Sequence, residues 1–170
     1  PELLKHIHRH KDGLLKEGKL RTSRPIEADN TDAKPFPIPS SWMWCRLSDV
    51  GAIIGGGTPP SADSDNFAQP GAGTAWLTPA DLGRQKNLYM SRGARDLTSK
   101  GLSSSSATVM PAGSVLFTSR APIGYTAIAA NEVSTNQGFK SIVPYVPDCN
   151  LYIAVYLRAF AVWIDERASG

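Results

Sequence analysis

Apolar residues recur along this chain in two rhythms. Leu3, Leu4, Ile7, Leu14 and Leu15 fall near one side of a 3.6-residue period, with Lys5, Arg9, Lys11 and Lys16 elsewhere. Residues 2–17 are therefore predicted to form an amphipathic helix, stopped by Gly18. A helix this short has no core of its own and must pack on something. Farther on, the apolar runs shorten and are bounded by Gly, Pro or Asn. Residues 114–117, 125–130 and 139–143 are of this kind, rich in branched and aromatic side chains, and predict strands of a compact sheet. Further strands are expected at 42–44, with both indoles on one face, and at 52–54, 76–78 and 107–110. A turn of helix is expected near 48–51. Thr98 is placed to cap a short helix within 97–106, and Asn150 to cap a longer one from 151 to about 167 that is apolar on nearly all sides.

Between these runs lie polar and proline-rich segments. Pro25, Pro35, Pro37 and Pro39 stand among charges in 19–41, which favours an extended connector along the surface. Gly55-Gly56-Gly57-Thr58-Pro59-Pro60 lacks the Lys of a phosphate-binding loop, and Pro59 removes a backbone donor, so a tight turn is expected there. Residues 61–73 read as an exposed polar loop, and Asp81 can cap a short turn through Gly83. The pattern as a whole predicts an α+β fold, β-rich at its centre with helical segments on either side.

A chain of 170 residues with 41% hydrophobic content can bury one core and carry one appended segment. No apolar run reaches the roughly 20 residues of a membrane span, since Arg158 interrupts 151–164. The chain opens on Pro1-Glu2 with no leader-like run, which suggests a piece of a longer cytoplasmic protein. Cys45 and Cys149 are read as reduced, buried thiols. His6, His8 and His10 alternate along the first helix and point to different faces, which disfavours a metal site.

The formal net charge of +3 permits nucleic-acid binding, and its distribution says more. Between Arg84 and Lys100, the cations Arg84, Lys86, Arg92, Arg95 and Lys100 face the single acid Asp96. Asn87, Tyr89 and Ser91 lie among them. These are the types that DNA contact needs: Arg and Lys for phosphates or guanine edges, Asn for adenine, an aromatic ring for base or sugar packing. A solvated surface is the competing reading. Arg120 and Lys140 sit on turns at strand ends, where polar side chains either hold the turn or face a ligand.

Catalysis finds little support. The histidines all lie in the first ten residues, so none serves the serines of the central region as a base. The acids are scattered, whereas nuclease chemistry needs carboxylates clustered around Mg²⁺. Adenine methylation would need a Gly-rich cofactor loop and an Asn or Asp before Pro-Pro-aromatic, and Thr58 precedes Pro59-Pro60 instead. No catalytic residue, cofactor or metal is assigned.

Several motifs carry a resemblance. Ser119-Arg120-Ala121-Pro122-Ile123-Gly124-Tyr125 is followed by Ser134-Thr135-Asn136-Gln137-Gly138-Phe139-Lys140-Ser141-Ile142. Before them come Pro39-Ser40-Ser41-Trp42-Met43-Trp44, Arg46-Leu47-Ser48-Asp49, Gly56-Gly57-Thr58-Pro59, Trp76-Leu77-Thr78-Pro79-Ala80-Asp81-Leu82-Gly83 and Ser91-Arg92-Gly93-Ala94-Arg95. In this order they resemble the target recognition domain in the specificity subunit of type I restriction-modification systems, over most of the chain. The resemblance implies a non-catalytic module that binds double-stranded DNA and reads one half of a split target. It implies as partners the methyltransferase (modification) subunits, which hold S-adenosylmethionine, and the restriction subunit, in the cytoplasm. It divides the chain into the end of a spacer helix plus linker (1–41), a recognition domain (42–150) and a helix entering the next spacer (151–170).

If the motifs around Arg120 and Lys140 recur among family members with different targets, they are not the main base readers. Asn136, Gln137 and Gly138 are then chiefly turn residues, Gly138 at positive φ, and base reading falls to 61–73 and 84–95. Reversing Arg92 and Arg95 to Glu is expected to weaken duplex binding without unfolding. Two alternatives remain: a protein-interaction module for an acidic partner, and a small ligand-binding domain with an aromatic pocket at Trp42, Trp44 and Trp76. Those three rings are expected in the core instead.

Overall fold

A computed structural model describes residues 2–18 and 36–168. The chain divides into two compact units, Pro1–Val50 and Gly51–Gly170. In the first, α1 (Glu2–Lys16) forms as its periodicity predicts, with Ile7 buried. Gly18 follows at a φ of +68°. The short α2 (Leu47–Val50) offers its Ser48 carbonyl to Lys11 Nζ at 3.3 Å. The expected strand at 42–44 does not form. Pro37 and Pro39 deny the segment backbone donors, and the Trp42 N–H turns back onto the Pro39 carbonyl at 2.9 Å. Trp42 is consequently 58% exposed rather than in the core, while Trp44 is half-buried edge-on to Phe36 at 5.0 Å. Most of the expected linker, 19–35, lies outside the described residues.

Among the described residues the second unit holds two sheets, four α-helices and two single 3-10 turns. Its elements are β1 (Gly51–Gly55), β2 (Phe67–Ala68), β3 (Thr74–Leu77), α3 (Pro79–Arg84), β4 (Tyr89–Met90), β5 (Arg95–Leu97) and α4 (Ser99–Ser103). Then come β6 (Val115–Phe117), β7 (Thr126–Ala129), β8 (Ser134–Thr135), β9 (Lys140–Pro144), α5 (Asn150–Ala159) and α6 (Ala161–Ala168). One sheet has the order β1-β9-β6-β7-β4 and the other β2-β5-β3-β8. The fold is α+β. The apolar runs at 114–117, 125–130 and 139–143 become β6, β7 and β9, adjacent and antiparallel. Their side chains join Leu77, Leu82, Met110, Val133 and Phe139 in the core. Helix α5 closes over β6 and β7, burying Ile153, Ala154 and Leu157 at helical spacing.

Other expectations need correction. Residues 56–60 form no turn, and their glycines are set by crowding: a Cβ on Gly56 would lie 1.9 Å from the Asn136 carbonyl oxygen. Residues 107–110 contribute only the bridge Met110↔Val133. The segment 61–73 is partly ordered, since Asn66 is buried and donates to the Pro60 carbonyl at 3.0 Å. The last helix breaks at Phe160, where the bend brings Ala161 Cβ to 2.6 Å from where a Cβ of Gly124 would stand. Asn150 is the first residue of α5, not its cap. Cys45 is exposed and Cys149 half-buried, although partial desolvation still pushes both thiols up.

Candidate nucleic-acid interface

The two motifs that organise the sequence are bonded to each other. The Ser119 N–H donates to the Gly138 carbonyl at 2.8 Å. Thr118, fully buried at the end of β6, closes the turn on its own: its hydroxyl donates to the Pro122 carbonyl at 2.7 Å and accepts from the Tyr125 N–H at 2.9 Å. Gly124, at a φ of +98°, supplies the one backbone conformation there that L side chains avoid. In the partner turn, Asn136 Oδ1 accepts from the Gly138 N–H at 2.9 Å, and the Asn136 N–H reaches the Leu77 carbonyl at 3.0 Å. Gln137 pairs with the Thr58 hydroxyl. These polar residues hold turns. Gly138 is not at positive φ; close approach requires it, because a Cβ would lie 3.0 Å from both Asn136 Oδ1 and Pro79 Cγ.

What the turns carry is different. Strand β4 runs parallel to β7, β7 and β9 both run antiparallel to β6, and β1 runs antiparallel to β9. The approach to β4, the β6–β7 turn, the start of β9 and the end of β1 therefore share one end of the larger sheet. That end gathers Arg84, Lys86, Asn87 and Tyr89 with Arg120 and Lys140, which lie far apart in sequence. All six are exposed, and the four cations have no acidic partner among the described residues. Asp81, the acid nearest in sequence to Arg84, is committed: its carboxylate accepts from the Thr78 N–H at 2.8 Å and the Ala94 N–H at 3.0 Å.

The cationic stretch does not stay on this end. Ser91 and Arg92 follow β4 toward its opposite end, where Arg92 lines an open depression with Asn131 and Glu132 beyond β7. Arg92 there pairs with Asp96, whose side chain is completely buried. Lys100 is spent on Asp63 at 2.8 Å and Asp65 at 3.3 Å. Its hydrogen bond to Asp63 holds that carboxyl below its ordinary value and Lys100 above its own. Arg95 is exposed with its guanidinium 4.2 Å from the Phe67 ring centre and 5.6 Å from that of Trp76. Stacking of this kind holds the group flat while leaving its N–H edge open.

Sequence reasoning missed Tyr125. It is 40% exposed at the mouth of the β6–β7 turn, against Gly83 of α3. The signal was the Gly-Tyr pair itself, overridden because an aromatic residue opening an apolar run reads as core. The aromatic pocket considered for Trp42, Trp44 and Trp76 does not form as such. Trp42 and Trp44 line an open groove with residues 36–40, whereas Trp76 is buried beside Phe67, its Nε1 donating to the Gly57 carbonyl at 3.0 Å.

Comparison with known proteins identifies the family and the fold. The family model for the type I restriction modification DNA specificity domain matches residues 39–166. The chain is 42% identical over 107 residues to the specificity subunit of the type I restriction enzyme MjaIX of Methanocaldococcus jannaschii, covering 63% of this chain and 24% of that protein. It is 24% identical over 159 residues to the HindI specificity subunit of Haemophilus influenzae, covering 92% of this chain and 34% of that one. The crystal structure of the HsdS subunit from Thermoanaerobacter tengcongensis shares the fold, with a TM-score of 0.59 at 23% identity over 96% of this chain and 38% of that one. The chain thus spans between a quarter and two fifths of the length of these relatives.

Proposed function

Because the chain belongs to the type I restriction modification DNA specificity domain family, we propose that it binds double-stranded DNA sequence-specifically, supplying recognition of one half of a split target to a type I restriction-modification complex. The single observation that carries this is the gathering of Arg84, Lys86, Arg120 and Lys140, without acidic partners among the described residues, at one end of the larger sheet. Unpaired cations on a shared surface are what phosphate neutralisation uses. Asn87, Tyr89, Ser91 and the ring-mounted Arg95 supply groups suited to base edges and sugars, with Arg92 and Lys100 serving mainly to hold the loops in place.

In this reading residues 42–150 act as the recognition domain, with residues 1–41 and 151–170 as the ends of flanking helical spacers and linker. The chain makes and breaks no bonds itself. Methylation and cleavage belong to modification and restriction subunits of the same cytoplasmic system. No helix among the described residues is long and apolar enough to cross a membrane.

The test is titration of the chain into a duplex selected on it from a random library, and into a scrambled duplex, across a range of salt. Affinity is expected to fall steeply with salt while the selected duplex stays tighter at every concentration. Binding that ignores both salt and sequence would overturn the proposal.

A further inference from the structure

The end of the sheet that gathers the free cations exposes a second ring besides Tyr89, and no charge argument accounts for it. Tyr125 opens β7 with its backbone N–H fixed to Thr118 Oγ1. A Cβ on Gly83 would stand 2.9 Å from Tyr125 Cε2, 3.5 Å from Cζ and 3.6 Å from the hydroxyl oxygen. The ring therefore lies across the backbone of Gly83, one residue from Arg84, and shares its own turn with Arg120. Any side chain at position 83 would displace it. The phenol hydroxyl has no hydrogen-bond partner among the described residues, and with the ring 40% exposed it is open to a ligand from solvent.

A ring set by a turn on one side and a bare backbone on the other, at the sheet end that also carries the exposed Arg84 and Arg120, suits a phosphate oxygen. We propose that Tyr125 contacts the duplex backbone, donating its hydroxyl to a phosphate flanked by Arg84 and Arg120, and that Gly83 is the positioning residue that keeps the ring there. This rests on the DNA-binding reading above and adds a neutral contact to it. Tyrosine is among the side chains that bond phosphate oxygens, and such contacts set register without reading sequence.

The experiment compares the 170-residue chain with Tyr125→Phe, Gly83→Ala and the double variant, using the selected and scrambled duplexes. Tyr125→Phe keeps the ring and removes only the hydroxyl. It is expected to weaken both duplexes equally, by roughly tenfold, the worth of one hydrogen bond to a charged group. The salt slope should not change, since no cation is lost. Gly83→Ala should weaken both duplexes as well, and the double variant no further, because the two changes disable one contact. If Tyr125→Phe binds like the parent while Arg84→Gln weakens binding, the Tyr125 assignment fails and the DNA-binding reading stands. If the parent chain itself binds neither duplex, both fail. Additive losses in the double variant would overturn the positioning role of Gly83.

Discussion

Arg92 lies against the fully buried carboxylate of Asp96, whose same oxygen also accepts from the N–H groups of Gly71 at 2.9 Å and Gly73 at 3.0 Å. One carboxylate thus ties the loop before β3 to the segment after β4. Its other oxygen is buried without a partner, so the group tolerates little further loss. Arg92→Gln is expected to lower stability by about 1–3 kcal/mol, less than for a wholly buried pair because Arg92 is half-exposed. Urea unfolding measures it. Arg92→Glu would set a second carboxylate beside Asp96 and should prevent folding, contrary to the expectation that charge reversal there only weakens DNA binding.

The free cations should behave differently. Arg84→Gln, Lys86→Gln, Arg120→Gln and Lys140→Gln, made singly, are each expected to leave the unfolding midpoint unchanged, having no partner to abandon. Each should reduce the slope of log affinity against log salt by about 1. Lys100→Gln should leave that slope unchanged, since Asp63 and Asp65 already neutralise it. A slope that falls with Lys100 and not with Arg120 would contradict the assignment.

The Lys100–Asp63 pair also fixes a pH window. Asp63 is held below its ordinary carboxyl value of 3.8, so its contribution is present above that value and lost as pH falls through the lower folded value. The local order of 63–66 is therefore expected to be constant from neutral pH down to about 4 and to loosen below it. Amide exchange at Asp65, whose N–H donates to Asp63 Oδ1 at 3.1 Å, reports the change.

Glycine substitutions separate crowding from propensity. Gly56→Ala drives a Cβ into backbone oxygens of Asn136 and Thr135 at 1.9 and 2.4 Å, which cannot move independently of their turn. A loss of at least about 3 kcal/mol is expected. Gly13→Ala, inside α1 with nothing within 4 Å, should raise helix stability by about 1 kcal/mol. Circular dichroism melts of both variants measure the contrast.

The amino-acid sequence by itself determined the elements whose signal is local. Period and caps placed α1, the Thr98 cap of α4, the short turn at 81–83 within α3 and the strands β6, β7 and β9. The motifs determined the family. The tertiary structure decided what each charge does, because pairing depends on what the fold brings near. Arg84 and Arg92 look alike in sequence, yet β4 carries them to opposite ends of a sheet, one facing solvent and the other a buried carboxylate. Only that folding could unite Arg84 with Arg120 and Lys140, and set Tyr125 on Gly83, since strand pairing joins residues by register and direction, not by nearness along the chain.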